Sequence, residues 1–203
     1  MISNLVFDMG QVLLRWTPEL FTASFQLPKE EEALLVRETF DRGEWQRLDE
    51  GTLSMEEAIG AICARLPEPL HPCVEQLVTG WWDIALLPVE GMGALIGELK
   101  AAGYGIYLLS NAAISLRQYF FRLPGAEHFD GLYVSAEHRL LKPQPEIYES
   151  FFKTFSLTPE SCFFTDDREE NIAAARAAGM EGVVFQDAEQ LRRALLARRI
   201  LRP

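Results

Sequence analysis

The sequence contains few of the residues that crosslink a chain or bind zinc. Its three cysteines, Cys63, Cys73 and Cys162, are widely spaced, and no Cys-x-x-Cys pair or Cys/His cluster occurs. Neither a disulfide framework nor a zinc site is therefore expected. The sequence also lacks an apolar run approaching the roughly 18 residues of a membrane-spanning helix, and its N-terminal residues, MISNLVFDMG, do not resemble a secretory signal. We therefore expect a cytoplasmic location.

Positive charge is scarce as well. The 203 residues include 19 Lys and Arg against 30 Asp and Glu, which gives a formal net charge of -11. An acidic surface repels nucleic acids and anionic lipids, so neither is an expected partner. A small anionic substrate is compatible with this composition, because positive charge inside a cleft can outweigh the overall field. The sequence leaves open whether the chain forms a homodimer.

Short apolar segments alternate with segments of helical periodicity along most of the chain. The composition, 48% hydrophobic and 24% charged, is typical of a globular protein. Apolar runs this short are typical of strands buried on both faces of a parallel sheet. The sequence therefore predicts an α/β fold with a Rossmann-like parallel sheet and right-handed crossovers. The predicted strands are 2–7, 104–109, 131–134, 162–164 and 182–185, and the predicted helices are 89–102, 145–155, 169–178 and 187–199.

Residues 16–84 interrupt this alternation, and we call them the cap segment. Their apolar residues fall at helical spacings, and no strand pattern competes with this periodicity. Ser54 and Glu57 fit a capping box at the start of one helix. We predict that the cap segment is a small α-helical domain inserted into a core formed by residues 1–15 and 85–203.

Polar side chains follow several of the predicted strands at the point where each strand ends. In open α/β sheets, ligands bind at the carboxyl ends of the strands, so we expect these side chains to meet at one edge. Three clustered carboxylates repel one another unless a cation joins them, and oxygen ligands with open positions suit Mg²⁺. The residues at these strand ends are Asp8, Ser110, Asn111, Asp166 and Asp167, and Lys142 follows the third strand by a few residues.

This set of groups favours phosphate chemistry. Lys142 offers a positive charge to a phosphate, and Ser110 and Asn111 can donate hydrogen bonds to it. The lysine and the metal cancel the repulsion between a carboxylate and an anionic substrate. One carboxylate can then attack phosphorus and form an aspartyl-phosphate. Water then hydrolyses this intermediate. Positioning and charge neutralisation would supply most of the rate.

The motifs that contain these residues resemble those of the haloacid dehalogenase superfamily, whose members are mostly Mg²⁺-dependent phosphatases. Their order, strand context and spacing agree over essentially the whole chain. Within the superfamily, FDMGQVL and KPQPEIY are similar to the group of alpha-D-glucose-1-phosphate phosphatase and the N-terminal phosphatase domain of soluble epoxide hydrolases. The matching motifs are FDMGQVL at 7–13, LLSN at 108–111, Lys142-Pro143, and FFTDD at 163–167 with Asn171.

The resemblance implies a role for each motif residue. It makes Asp8 the nucleophile and a metal ligand, with Lys142 as the cation that neutralises Asp8 and the phosphate. It assigns the phosphoryl group to Ser110 and Asn111, and it makes the cap segment a lid that closes over the site and selects the substrate. The implied ligands of Mg²⁺ are Asp8, the backbone carbonyl of Gly10, Asp167, and Asp166 either directly or through water, with Asn171 supporting the loop.

One position departs from the pattern of the superfamily. Most of its phosphatases carry a second aspartate two positions after the nucleophile, which protonates the leaving oxygen and later activates water. Here that position is Gly10, which has no side chain. General acid–base help is worth about 10²–10⁴-fold in rate. We therefore expect a slow enzyme, a proton borrowed from a cap residue or from water, or a preference for good leaving groups such as an anomeric sugar phosphate.

Two other functions compete with the phosphatase. A 2-haloacid dehalogenase uses the same aspartate without a metal, but Asp166 and Asp167 argue against it because unneutralised carboxylates repel an anionic substrate. A binding or regulatory module that keeps the fold but lacks turnover is the second alternative. Substrate contacts from the cap segment are left open, with Arg42, Glu44, Arg47 and Asp49 as candidates. The histidines His71, His128 and His138 are interpreted as surface or loop residues.

Overall fold

The central sheet of the molecule is parallel. The computed structural model describes residues 1–202. In chain order, its strands are β1 (Asn4–Phe7), β2 (Leu14–Arg15), β3 (Leu87–Pro88), β4 (Gly105–Ser110), β5 (Gly131–Val134), β6 (Cys162–Asp166) and β7 (Glu181–Val184). Five of them form one sheet in the order β5-β4-β1-β6-β7, with every neighbouring pair parallel. The predicted α/β, Rossmann-like fold class is confirmed.

Both faces of this sheet are buried. Leu5 and Phe7 of β1 belong to one apolar cluster, and Val6 between them belongs to a second cluster. The same alternation occurs in β6, where Phe163 and Phe164 lie in different clusters. Since successive side chains of a strand point to opposite faces, apolar residues at every position place protein on both sides. This explains why the strands read as continuous apolar runs.

The helices divide according to their place along the chain. Those of the cap segment are α1 (Pro18–Thr22), α2 (Lys29–Phe40), α3 (Glu44–Glu50), α4 (Met55–Cys63) and α5 (His71–Ile84). Those that follow are α6 (Met92–Ala101), α7 (Leu116–Tyr119), α8 (Ser135–His138), α9 (Pro145–Phe155), α10 (Glu169–Ala177) and α11 (Ala188–Ala197). The predicted capping box is present at the start of α4. The Ser54 hydroxyl accepts a hydrogen bond from the Glu57 backbone N–H, and the Glu57 carboxylate accepts one from the Ser54 backbone N–H. Within residues 1–202, none of the helices combines the length and the apolar character that spanning a membrane requires.

Strands β2 and β3 form a two-stranded antiparallel ribbon on either side of the cap segment. Leu14 pairs with Pro88 and Arg15 pairs with Leu87. The Val89 backbone N–H donates to the Leu13 carbonyl at 2.9 Å and extends the ribbon. The chain therefore leaves the core and returns to it at adjacent points.

Several predicted boundaries were wrong by a few residues. Strand β1 begins at Asn4 rather than at residue 2, and β6 continues to Asp166 rather than ending at residue 164. Helix α6 begins at Met92 rather than at residue 89, because Val89 continues the ribbon and Gly91 stands at the helix N-cap with a positive φ of 82°. The extension of β6 matters for function, because it makes the first acidic residue of the FFTDD motif part of the sheet.

Candidate active site

The acidic residues of the sequence motifs meet at the carboxyl edge of the sheet. Asp8 directly follows β1, Asp166 ends β6, and Asp167 is the next residue. The two strands are neighbours in register, with Phe7 opposite Thr165, and the Asp8 backbone N–H donates to the Thr165 carbonyl at 2.9 Å. This pairing brings a carboxylate from each strand to the same place, as the sequence predicted.

Lys142 lies between two of these carboxylates. Its side chain is 1% exposed, and its Nζ is 2.7 Å from Asp8 Oδ1 and 2.7 Å from Asp166 Oδ2. Asn111 fixes the backbone of this lysine, since its Oδ1 accepts from the Lys142 N–H at 2.8 Å and its Nδ2 donates to the Lys142 carbonyl at 3.0 Å. The lysine is therefore positioned by both its backbone and its ammonium group.

Besides its ion pair with Lys142, the carboxylate of Asp166 accepts hydrogen bonds from two other residues. Asn171 Nδ2 donates to both of its carboxylate oxygens, at 2.9 and 3.0 Å, and the Arg168 backbone N–H donates to Oδ1 at 2.9 Å. Asn171, for which the resemblance implies a supporting role, therefore contacts the acidic loop directly. The other amide atom, Asn171 Oδ1, is buried and has no donor among the described residues.

The electrostatics of the site reflect an excess of negative charge. Burial raises the pKa of Asp8 to about 6, with the charge of Asp166 adding to the effect and Lys142 opposing it. Burial and the neighbouring Asp166 also raise the pKa of Asp167. For Lys142, burial lowers the pKa, but the two carboxylates outweigh burial and raise it overall. One ammonium group thus faces three carboxyl groups.

A divalent cation fits this arrangement. Asp8, Asp166 and Asp167 each offer a carboxylate oxygen, and these oxygens lie within 4.8 Å of one another. Hard oxygen ligands with room for water are what Mg²⁺ prefers. The unpartnered Asn171 Oδ1 beside them can accept a hydrogen bond from a metal-bound water. The donor set and its surplus negative charge therefore both suit Mg²⁺.

The remaining motif residues lie at the same edge. Ser110 ends β4 and is 1% exposed, while Asn111 and Gly10 line the cavity above the carboxylates. A Cβ built at Gly10 would meet no heavy atom within 4 Å. Gly10 therefore leaves open space beside Asp8, at the position where the pattern of the superfamily has a second aspartate.

Above these residues is a cavity of about 600 Å³. Its floor contains Asp8, Lys142 and Asp167, and part of its wall is aromatic. The rings of Phe40 and Trp45 are 4.6 Å apart, centre to centre, and the ring of Trp45 is 5.6 Å from that of a third aromatic residue, Trp16. Further lining residues from the cap segment are Pro18, Asp41, Gln46, Leu48, Asp49, Val78 and Trp81.

Of the four cap-segment candidates, only Asp49 lines this cavity. Arg42 pairs with the buried Glu38 at 3.1 Å, and Glu44 pairs with Arg65 at 2.8 Å, so both belong to an ion-pair network inside the cap segment. The Arg47 guanidinium donates to the carbonyl of Thr52. The side chains of these three residues therefore contact other residues of the cap segment, whereas Asp49 lines the same cavity as Asp8.

Sequence reasoning gave no role to two residues that the structure brings to the site. Ser135 directly follows β5, as Asp8 follows β1, and its position at a strand end was a usable signal. Tyr119 lines the cavity from the short helix α7, and no pattern in the sequence marks it. Of the histidines, His138 is half-buried at the end of helix α8, and its ring stacks on that of Tyr133 in β5 with 3.9 Å between the ring centres.

Comparison with known proteins decides the family. The model of the haloacid dehalogenase-like hydrolases matches residues 2–179. The chain belongs to this family. The resemblance predicted from the four motifs is thereby confirmed, and this haloacid dehalogenase-like hydrolase is an enzyme with the parallel core of its superfamily.

Several characterised proteins are similar to this hydrolase. A sesquiterpene phosphatase of Aspergillus oryzae is 28% identical, over 90% of this chain and 89% of the relative. A D-ribitol-5-phosphate phosphatase of Bacteroides thetaiotaomicron is also 28% identical, over 89% and 90% of the two chains. Among solved structures, a haloacid dehalogenase family enzyme of Bacteroides thetaiotaomicron superposes with a TM-score of 0.74 at 22% identity. The superposition covers 94% of this chain and 99% of that enzyme, whose structure contains magnesium and inorganic phosphate.

Proposed function

We propose that this hydrolase is a Mg²⁺-dependent phosphatase that cleaves a small phosphorylated metabolite through an aspartyl-phosphate on Asp8. The observation that carries the proposal is the buried contact of Lys142 with Asp8 and Asp166, at 2.7 Å each, beside a third carboxylate. Two relatives that match about nine-tenths of the chain are phosphatases by name, which supports the same reaction class.

The proposed reaction has two halves at phosphorus. An oxygen of Asp8 bonds to phosphorus while the bond to the ester oxygen breaks, and the departing oxygen takes a proton. Water then bonds to phosphorus, the bond to Asp8 breaks, and inorganic phosphate leaves. Lys142 balances the charge of Asp8 and the phosphate throughout, and Ser110 and Asn111 hold the phosphoryl group, Asn111 in part by fixing the Lys142 backbone.

Magnesium has a defined place in this proposal. Asp8, the Gly10 carbonyl, Asp167 and, directly or through water, Asp166 would hold it, and Asn171 would orient Asp166. When bound, Mg²⁺ supplies charge neutralisation to the carboxylates and to the phosphate oxygens. Without that charge, the three acids repel the anionic substrate.

The cap segment is proposed to act as a separate domain that covers the site and selects the organic part of the substrate. Its aromatic residues supply an apolar wall, which suits either the C–H face of a sugar or a hydrocarbon group. We therefore propose a sugar phosphate as the substrate class, and a terpenyl phosphate is the alternative. The two named phosphatase relatives represent these two chemistries.

A metal-independent dehalogenase is the alternative reaction. Both reactions use Asp8, but only the phosphatase requires a cation to join the carboxylates. Dependence on Mg²⁺ therefore separates the two. A module without turnover is the remaining alternative, and it predicts phosphate binding without product.

The test is a screen of phosphomonoesters with and without Mg²⁺, with Asp8→Asn as the blank. The panel contains glucose 1-phosphate, glucose 6-phosphate, ribitol 5-phosphate, a sesquiterpenyl phosphate and 4-nitrophenyl phosphate, and 2-chloropropionate tests dehalogenation. We expect phosphate release that requires both Mg²⁺ and Asp8. Halide release without metal would replace the proposal by the dehalogenase, and no release from any substrate would favour the binding module.

A further inference from the structure

The proposed phosphatase reaction needs a proton donor that the nucleophile loop does not supply. An ordinary alkoxide is a poor leaving group, and it departs readily only if a nearby acid protonates it. Gly10 cannot do so, and the space beside it is open. If a side chain is the donor, it lies on another wall of the same cavity.

Asp49 is a carboxyl group on the opposite wall. It lies near the end of α3 in the cap segment and lines the cavity together with Asp8 and Lys142. It is near enough to Asp8 for the negative charge of that residue to affect its ionisation. It takes no part in the ion-pair network of the cap segment, which involves Glu38, Glu44 and the arginines around them.

The backbone that carries Asp49 is fixed against the core. Ser135 Oγ, at the end of β5, donates to the Asp49 carbonyl at 2.5 Å. Two residues further on, Gly51 has a φ of 70°, and a Cβ at this position would lie 2.1 Å from the carbonyl oxygen of Ala136. Only glycine permits so close an approach with this backbone conformation. The end of α3 is thus positioned over the carboxyl edge of the sheet.

The raised pKa of Asp49 also suits a proton donor. Burial raises its pKa to about 7, the charge of Asp8 adds to this, and a hydrogen bond from the Ala113 backbone N–H opposes it. Tyr119 is the other proton-bearing side chain on this wall, but its hydroxyl donates to Met9 Sδ, and burial raises its pKa. The ionisable and charged groups that share the cavity with Asp49 are Asp8, Asp41, Tyr119, Lys142, Asp167 and Arg168.

We propose that Asp49 is the general acid and base of this enzyme, replacing from the cap segment the aspartate that is absent at Gly10. The proposal rests on the phosphatase function above. In the first half-reaction, the Asp49 proton passes to the ester oxygen as its bond to phosphorus breaks. In the second, the Asp49 carboxylate takes a proton from water as the water oxygen bonds to phosphorus and the bond to Asp8 breaks. Asp49 ends protonated, and the products are the alcohol and inorganic phosphate.

The test compares two leaving groups in Asp49→Asn. An alkyl phosphate, such as ribitol 5-phosphate or whichever ester the screen finds best, requires the acid, whereas 4-nitrophenolate leaves without a proton. We expect kcat for the alkyl ester to fall about 10²–10³-fold with KM nearly unchanged, and kcat for 4-nitrophenyl phosphate to fall less than about tenfold. Glu50→Gln, a neighbouring carboxyl on the same helix that does not line the cavity, is the matched control and should match the wild type.

A rescue variant separates an acid from a structural role. A Cβ at Gly10 would meet no heavy atom within 4 Å, so Asp49→Asn combined with Gly10→Asp should recover at least tenfold of the lost rate on the alkyl ester. Equal losses on both esters, or no loss on the alkyl ester, would overturn the role of Asp49. A wild-type enzyme that releases phosphate from neither ester would overturn the phosphatase proposal itself, and the role of Asp49 with it.

Discussion

Replacing Lys142 by methionine should destabilise the metal-free protein severely. The lysine is buried and contacts Asp8 and Asp166 at 2.7 Å each, so Lys142→Met keeps most of the side-chain volume and leaves two buried carboxylates unpaired. Removing one partner of a buried ion pair costs about 3–5 kcal/mol. For a chain of this length, each kcal/mol lowers the melting temperature by about 2–4 °C, so we expect a fall of about 6–20 °C at pH 7.5.

The dependence of this loss on pH and metal identifies its cause. The pKa of Asp8 is raised to about 6, and it rises further without the lysine, so at pH 5 Asp8 is protonated and the loss should shrink. Mg²⁺ at pH 7.5 should recover part of the loss, since it supplies the missing positive charge. Urea unfolding of wild type, Lys142→Met and the exposed control Lys153→Met measures these differences. A loss below about 1 kcal/mol, or one that neither pH nor Mg²⁺ alters, would refute the electrostatic reasoning.

Three further outcomes follow from other contacts. Asn171→Ala removes both hydrogen bonds from its amide to Asp166, so Mg²⁺ affinity measured by calorimetry should fall about 10–100-fold. Burial raises the pKa of Asp49 to about 7, so ionisation of this carboxyl opposes folding. The unfolding free energy of the wild type, relative to that of Asp49→Asn, should therefore fall between pH 5 and 7 by at most about 1.4 kcal/mol per pH unit. Gly51→Ala should cost more than about 2 kcal/mol in urea unfolding, because its Cβ meets the Ala136 carbonyl.

Each of these outcomes has a result that contradicts it. Unchanged Mg²⁺ affinity in Asn171→Ala would mean that the amide does not orient the acidic loop. A pH-independent difference between wild type and Asp49→Asn would mean that Asp49 titrates as in the unfolded chain. Gly43 also has a positive φ but open space around its Cβ position, so Gly43→Ala isolates backbone strain, and an equal loss in both glycine variants would remove the argument from close approach.

The positions of the strands along the chain and the residues at their ends could be predicted because both depend on local patterns. Apolar runs buried on two faces mark the strands, and the bounds predicted for β5 and α9 agree with the structure. The start of the last helix depends on an equally local contact, since the carboxylate of Asp187 accepts a hydrogen bond from the Gln190 backbone N–H at 2.7 Å. Such features depend on a few neighbouring residues, which the sequence displays directly.

The geometry of the cap segment could not be predicted in the same way. Arg42, Glu44, Arg47 and Asp49 are close in sequence and equally polar, and only tertiary packing decides which of them faces the cavity. The ribbon formed by β2 and β3 is likewise invisible in the sequence, because strands of two residues have no periodicity. The cytoplasmic location stays a prediction, and whether the chain forms a homodimer stays open.

The ribbon has a consequence for how this scaffold could be altered. Because the outgoing and returning segments are hydrogen-bonded to each other, the two chain connections between the cap segment and the rest of the molecule run side by side. A substitute module of another size needs to match the spacing of those two chain ends and the contact of α3 with the residues after β5. Exchange of specificity between relatives is therefore feasible as a single graft that leaves the phosphate-handling residues of the sheet in place.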